Sequence, residues 1–310
     1  RMDAVAETFI DEIETLLNRD LPEEERIPLI EKFQKMYETM DFYVLYNRFL
    51  KKEGYQTLPR RPLEKRKLRY EDVYPVLYLK YRLSRQAERS NIKHLVIDEM
   101  QDYSRLQYLI IRRMFSCKMT ILGDRAQTMA DQQQDVLQFL PGIFGKDLRR
   151  IEMRKSYRNT VEIASYAANL IGVTDLELFE RHGMPVLERD VTDLEAALRE
   201  AVDTLFPDEK TYETAAVIVP DEKTAERAYL ILREILAEKD FDCEKRLSWL
   251  NRDSSSFKKG LTVTTFYLAK GLEFDQVFSI FPKDEKREIM MQAQYIAATR
   301  ALHELRVYHI

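Results

Sequence analysis

Residues 94–102 read HLVIDEMQD. Three apolar residues, Leu95, Val96 and Ile97, run directly into the carboxylates of Asp98 and Glu99. This pattern predicts a buried strand that presents two acids at its C-terminal edge, where open α/β sheets place their ligands. Adjacent carboxylates there can divide the work of nucleotide hydrolysis: one holds Mg²⁺ through its water shell and the other takes a proton from the attacking water. The plainer alternative is a strand ending in a solvated acidic turn. The stretch alone leaves both readings open.

Moving outward, a second apolar run, MTILGD (119–124), ends in Gly123 and Asp124, with Gln127 three residues on. A side-chain amide there can sense a γ-phosphate or its attacking water, because it both donates and accepts. A third strand leads to SYRN (156–159) at the head of a helix; Tyr157 offers a flat face to a base and Arg158 a forked cation to a phosphate. Further on, TTFYLAKGLEFDQVF (264–278) places Lys270, Gly271 and Glu273 in a turn between two strands. YIAATRAL (295–302) sets Arg300 on a helix before a last strand. Singly, each has a dull explanation as a strand-end turn, a capped helix start, a hairpin turn or an amphipathic helix.

From residue 91 onward, short apolar runs alternate with longer amphipathic stretches, which is the pattern of a parallel sheet with crossover helices. Strands are expected near 94–97, 119–122, 148–153, 186–190, 215–219, 261–266, 276–281 and 304–309. Helices are expected near 104–115, 160–171, 193–205, 221–238 and 286–302. Residues 1–90 read as a helical segment, with Gly54 as a stop and dense aromatics at core-packing spacing. The division expected is 1–90, 91–172 and 173–310, the last break falling at Gly172. Between Arg60 and Arg69, six cations gather on a chain whose formal net charge is −4. They read either as a solvated helix face or as a contact for phosphates or an acidic partner.

Composition narrows the class. With 310 residues, 45% hydrophobic and 33% charged, the chain can build two or three cores. The negative balance argues against coating nucleic acid by bulk charge, so any such contact is local. Cys117 and Cys243 stand alone, with no zinc or disulfide spacing, which fits a reducing cytoplasm. No apolar run is long enough for a membrane span. No GxxxxGK[ST] loop occurs in the 310 residues.

In this order, the motifs DEMQ, GDRAQ, SYRN, KGLEF and TRA resemble those of superfamily 1 helicases of the UvrD/Rep type. HLVIDEMQDYSRLQ, MTILGDRAQT, KSYRNTVEI and LRYEDVYPVLYLKYRL look most similar to the HelD branch, whose members are cytoplasmic ATPases that act on RNA polymerase. The resemblance implies an α/β fold of two RecA-like parallel sheets with flanking helices, preceded by the helical segment. It also implies ATP and Mg²⁺ as cofactors and DNA and RNA polymerase as partners, with no membrane, for a monomer. By the same resemblance Asp98 and Glu99 would meet the metal, with Glu99 also activating water. Gln127 would couple the γ-phosphate to nucleic-acid binding, and Tyr157 would stack on adenine. Arg158 and Arg300 would stabilise charge on the transferred phosphoryl group, and Glu273 would meet the ribose or triphosphate. Thr265 and Tyr267 would face the nucleic-acid path.

Three departures qualify these expectations. The phosphate-binding loop and the adenine-recognising glutamine motif would lie upstream of Arg1, so the 310 residues read as part of a motor and are expected not to hydrolyse ATP alone. The run 128–132, TMADQ, lacks the aromatics that stack on single-stranded bases, and Tyr267 stands where UvrD has histidine. Some 90 residues between the helix that SYRN opens and LTVTTF are too few for the large UvrD insertion. A DNA-unwinding UvrD or helicase IV relative in repair is the alternative. A non-catalytic interaction module with a degenerate helicase fold is the third reading.

Overall fold

The computed structural model describes residues 2–35, 39, 41–83, 89, 91–124, 127, 135–173, 177–206, 212–239, 242–254, 259–283 and 288–310. The chain divides into two compact units. The first comprises Arg1–Gly123 and Ala130–Leu148, the second Asp124–Met129 and Arg149–Ile310.

In the first unit, helices α1 (Met2–Leu17) and α2 (Glu23–Gln34) pack together, burying Ala6 and Ile10. Arg26 ties them by reaching Glu7 and Glu14, each at 2.8 Å. Helix α3 (Phe42–Lys52) starts at Asp41, whose carboxylate accepts from the backbone N–H groups of Tyr43 and Val44. It stops before Gly54, whose φ of +77° gives the left-handed residue that ends many helices. Helix α4 (Tyr70–Leu83) packs on α3, and the Tyr46 hydroxyl donates to buried Asp72 at 2.8 Å. The basic stretch before α4 is not a helix face: apart from one 3-10 turn at Leu63–Lys65 it runs without helix until Tyr70.

Strand β1 (His94–Ile97), helix α5 (Arg105–Met114), strand β2 (Lys118–Ile121) and helix α6 (Val136–Phe144) complete the unit around Ile97, Tyr108, Val136 and Leu140. β1 and β2 pair in parallel, with Ile97 opposite Ile121. The expected buried strand is only half buried. Ile97 is 5% exposed, but Val96 is 61% exposed, because among the described residues β2 is the one strand beside β1 and helices cover one face.

The second unit is built on a six-stranded sheet in the order β5-β10-β9-β6-β8-β7, parallel throughout. The strands are β5 (Leu187–Asp190), β6 (Thr214–Val219), β7 (Leu247–Trp249), β8 (Gly260–Thr265), β9 (Phe274–Phe281) and β10 (Ala301–His309). A short pair, β3 (Lys155–Ser156) with β4 (Glu177–Leu178), stands apart from it. Strand β6 is apolar on both faces because both are covered. Ala215, Val217 and Val219 share a core with helices α8 (Leu194–Asp203) and α9 (Glu222–Ala237). Ala216 and Ile218 share another with α7 (Val161–Leu170) and α11 (Glu288–Ala298). Thr160, Asp193 and Asp221 cap α7, α8 and α9, each side chain accepting a backbone N–H three residues on.

The α/β expectation holds, with three local differences. The strand expected at 148–153 does not form; Ile151 and Met153 are each 86% exposed, with no pairing partner among the described residues. β7, three residues preceded by the single turn α10 (Cys243–Arg246), carries too little pattern to be read in advance. Finally, the KGLEF segment is not a hairpin turn, because β8 and β9 run parallel on opposite sides of β6, making it a crossover.

Candidate functional site

In the first unit, the acidic motif sits where β1 turns over. The Ile97 carbonyl accepts from Leu122, and the Leu122 carbonyl accepts from Met100, so both strand ends are stitched to the turn that follows β1. Glu99 adopts a left-handed backbone, φ +52° and ψ 50°. Such a conformation costs a non-glycine residue about 1–3 kcal/mol and is concentrated at working sites. The Asp98 carboxylate is exposed and accepts from the Glu99 N–H at 2.8 Å. Glu99 accepts from the side-chain amide of Gln101, itself 6% exposed. Tyr108, fully buried, donates to the Met100 carbonyl at 3.1 Å, and burial pushes its phenol well above the usual range. Gly123 closes the arrangement: a Cβ there would stand 2.7 Å from the Met100 nitrogen and 2.5 Å from Gln101 Oε1.

Mg²⁺ in phosphoryl-transfer sites keeps several waters and takes one or two carboxylates together with substrate oxygens. An exposed carboxylate at a strand end fits that role. Among the described residues, no cluster of three or more His, Cys, Asp or Glu gathers to hold a metal by protein ligands alone.

The second unit gathers the other motifs at the ends where β9 and β10 begin. Arg300 is 2% exposed and lies just past α11, in the turn before β10, not on the helix itself. Its guanidinium donates to the carbonyls of Ile296 (3.3 Å) and Leu272 (3.4 Å), to the Thr299 hydroxyl (3.2 Å) and to Gln127 Oε1 (3.5 Å). Gln127 also donates to Asp124 at 2.9 Å, and the Tyr295 hydroxyl donates to the same carboxylate oxygen at 3.0 Å. Burial, reinforced by that carboxylate, holds the Tyr295 phenol far above its ordinary value. Asn159, 7% exposed, donates to the Ala301 carbonyl at 2.6 Å and the Thr299 carbonyl at 3.3 Å. It thereby clamps the two residues that flank Arg300.

Arg158 pairs with Glu273, Nε to Oε1 at 2.7 Å, both side chains nearly half exposed. Tyr157 is 61% exposed, tilted against Phe179 with ring centroids 5.6 Å apart, and Lys155 Nζ lies 5.5 Å from its ring. At the other end of the sheet, Thr265 is 1% exposed and its hydroxyl has no partner among the described residues. Tyr267 donates to Glu222 at 3.0 Å, and Arg252 pairs with the same carboxylate at 2.7 Å.

Asp98 and Glu99 thus belong to the first unit, and Gln127, Tyr157, Arg158, Thr265, Tyr267, Glu273 and Arg300 to the second. Residues 128–132, where the sequence lacks aromatics, lie outside the described residues. Sequence reasoning missed Asn159, Asp124 and Tyr295 as positioning residues. All three sit inside motifs already singled out, and only their partners in the folded chain mark them.

Comparison with known proteins bears on the first unit above all. Residues 4–129 match the family described as UvrD/REP helicase N-terminal domain, a span that holds Asp98, Glu99 and Gln127. No curated protein matches the chain. Among solved structures, the C-terminal domain of a possible DNA helicase from Lactobacillus plantarum WCFS1 is 24% identical; the match covers 50% of this chain and 88% of that one, with a TM-score of 0.39. The PRRSV helicase is 17% identical over 70% of this chain and 35% of its own, also at 0.39. Arterivirus nonstructural protein 10, a helicase solved with DNA, is 14% identical over 70% of this chain and 39% of its own, again at 0.39. The chain therefore spans well under two thirds of either viral protein. No helix among the described residues is long and apolar enough to cross a membrane. Over residues 4–129 the chain is similar to the N-terminal domain of UvrD/REP helicases, which supports a UvrD-like superfamily 1 helicase-type function.

Proposed function

We propose that these residues are the C-terminal part of an ATP-dependent superfamily 1 helicase or translocase motor of the HelD branch, which couples ATP hydrolysis to movement on, or release from, nucleic acid and RNA polymerase. The observation that carries this reading is the match of residues 4–129 to the UvrD/REP helicase N-terminal domain, over the stretch that contains Asp98, Glu99 and Gln127. Residues 1–90 are an accessory helical part, 91–172 the end of a first motor domain and 173–310 a second.

In this reading Asp98 contacts Mg²⁺ and Glu99 takes the proton from the attacking water. Tyr157 stacks on adenine, Glu273 meets the ribose or triphosphate, and Arg158 and Arg300 offset the charge that develops on the phosphoryl group. Gln127 reports the γ-phosphate, and Thr265 and Tyr267 line the nucleic-acid path. The Arg158–Glu273 pair gives Arg158 a carboxylate partner to exchange for a phosphate, the acceptor its fork suits best. The non-aromatic run 128–132 favours translocation or displacement over strand separation.

The test is ATP turnover by a version of the protein that includes a phosphate-binding loop, with and without Glu99→Gln. Nucleic-acid-stimulated turnover that the substitution abolishes is expected. The 310 residues alone are expected to show none, since no GxxxxGK[ST] loop is present to cradle the β- and γ-phosphates. Release of stalled RNA polymerase without unwinding of a tailed duplex would support the HelD branch. The converse result would assign the protein to DNA repair.

A further inference from the structure

The first unit contains a cavity of about 730 Å³ between α3 and the extended segment that follows it. Five cations line it, Arg48, Lys51, Arg60, Arg61 and Arg66, and no carboxylate does. Concentrating like charge around one concavity is unfavourable unless an anion occupies it, and here it happens on a chain whose formal net charge is −4. Among the described residues, Lys51, Arg60 and Arg61 make no ion pair, so their charge is available.

The walls are fixed rather than fortuitous. Asn47 donates to the Leu58 carbonyl at 3.1 Å and accepts from the Leu58 N–H at 2.7 Å, locking the extended segment to α3. Tyr43 donates to the Pro59 carbonyl at 2.7 Å, immediately before Arg60. Arg66 is held at the rim by Asp41 at 2.7 Å, with its guanidinium 4.7 Å from the Tyr43 ring centroid. The pairing pulls the Asp41 carboxyl below its ordinary value, so this strut persists through the physiological range. Three of the five cations are thus carried on a braced loop, which lowers the entropy lost when an anion is bound.

We propose that this cavity binds the phosphodiester backbone of a single-stranded nucleic acid, as a contact separate from Thr265 and Tyr267. With the Arg66 fork taken by Asp41, Arg60 and Arg61 on the braced loop carry forks that suit phosphate oxygens. Exposed aromatics flank the lysine in sequence, Phe49 at 51% and Tyr55 at 64%, and cations interleaved with exposed rings suit unstacked bases. The inference rests on the nucleic-acid half of the proposed function and is independent of its ATP chemistry.

The experiment uses the 310-residue chain and a fluorescein-labelled single-stranded oligonucleotide, with anisotropy read from about 50 to 200 mM salt. Arg60→Glu/Arg61→Glu is compared with Lys32→Glu/Lys35→Glu, an equal charge change at exposed positions in the last turn and C-cap of α2. Melting temperatures within a degree or two of the parent establish that both variants fold; if the loop reversal melts early, Lys51→Gln, a milder change on α3, replaces it. The loop variant is expected to weaken binding at least about tenfold and to lower the salt slope by roughly 1.4, the value for two lost single-strand phosphate contacts. The α2 variant should change neither beyond the effect of net charge. Equal losses in the two variants, or no binding by the parent, overturn the proposal. Displacement of the oligonucleotide by inorganic tripolyphosphate at matched phosphate concentration would make this a free-anion site and also overturn it. Failure here leaves the ATPase test untouched, and failure of that test leaves this one readable.

Discussion

The guanidinium of Arg300 donates to the side-chain oxygen of Gln127 at 3.5 Å, across 173 residues of chain. Gln127 in turn donates to Asp124, which also accepts from Tyr295, so a buried cation and a carboxylate are linked through one amide. An amide so placed can pass a shift at the arginine to the Asp124 carboxylate. A carboxylate or a hydrocarbon side chain cannot both donate and accept in this way.

Removing Arg300 empties the space of a buried side chain and takes a charged donor from the Leu272 carbonyl and from Gln127, while the Ile296 carbonyl keeps the Thr299 hydroxyl as a donor. Arg300→Ala is expected to destabilise the second unit by about 2–3 kcal/mol, visible as a fall in melting temperature of roughly 5–10 °C. A melting temperature unchanged within 1 °C would show that the arginine is not held as described. Because of this cost, a lowered kcat in Arg300→Ala is informative only when measured well below its melting point.

Arg158 and Tyr157 separate chemistry from binding without that complication, since both are substantially exposed. In a version of the protein that hydrolyses ATP, Arg158→Ala is expected to keep its stability within about 0.5 kcal/mol and to lose two or more orders of magnitude in kcat, as for charge offset in the transition state. Tyr157→Ala is expected to raise KM for ATP while leaving kcat nearly unchanged, because stacking is felt equally before and during the reaction. Steady-state kinetics on the two variants checks this, and near-normal kcat in Arg158→Ala would remove the arginine from the chemistry.

Gly123 and Gly260 are expected to tolerate no side chain. At Gly260, φ is +113° and a Cβ would lie 2.2 Å from the Arg246 carbonyl oxygen, so Gly260→Ala should cost about 2–3 kcal/mol by chemical denaturation. Gly123→Ala should displace Met100 and Gln101 and with them the support of Glu99. A loss of turnover larger than the loss of stability is the expected sign of that displacement.

The loop after β4 is tied to α7 by Glu162, which pairs with His182 at 2.9 Å and accepts from the Gly183 N–H at 2.9 Å. The histidine, with the backbone N–H groups of Glu162 itself and of Gly183, pulls the Glu162 carboxyl from 4.5 to about 2. A carboxyl with a lowered folded-state value contributes stability that is complete above its unfolded value and is lost as pH falls through the folded one. The melting-temperature difference between the parent and Glu162→Gln should therefore be constant near neutrality and shrink between about pH 5 and 2. A difference independent of pH over that window would refute the tie.

Much of the second unit was legible because its local signals agree. Helices α7, α8 and α9 begin at Thr160, Asp193 and Asp221, each a good N-cap ahead of an apolar stripe, and all three were read within about two residues of their bounds. Strand 148–153 misled for a physical reason: Leu148, Ile151 and Met153 have a strand-like apolar content, but strand structure needs a partner, which the described residues do not supply. At the site, residue types were legible and their states were not. Nothing in TRA says that Arg300 is buried beneath Gln127, and nothing in SYRN says that Asn159 holds Ala301. Those facts depend on contacts across more than 100 residues.

The position of β10 also bears on how the second unit is made. It comes last in sequence among the described strands, yet it lies inside the sheet, between β9 and β5. Its Arg306–His309 segment is the sole described partner of β5. A ribosome delivers the chain from its N-terminus, so β5 must leave the exit tunnel long before β10 exists and remain an open template for other strands meanwhile. Pairings this distant in sequence form slowly. The second unit is thus most exposed to misassembly during its own synthesis, and a chaperone that shields residues 187–190 at that stage would raise the yield of folded protein without altering its final stability.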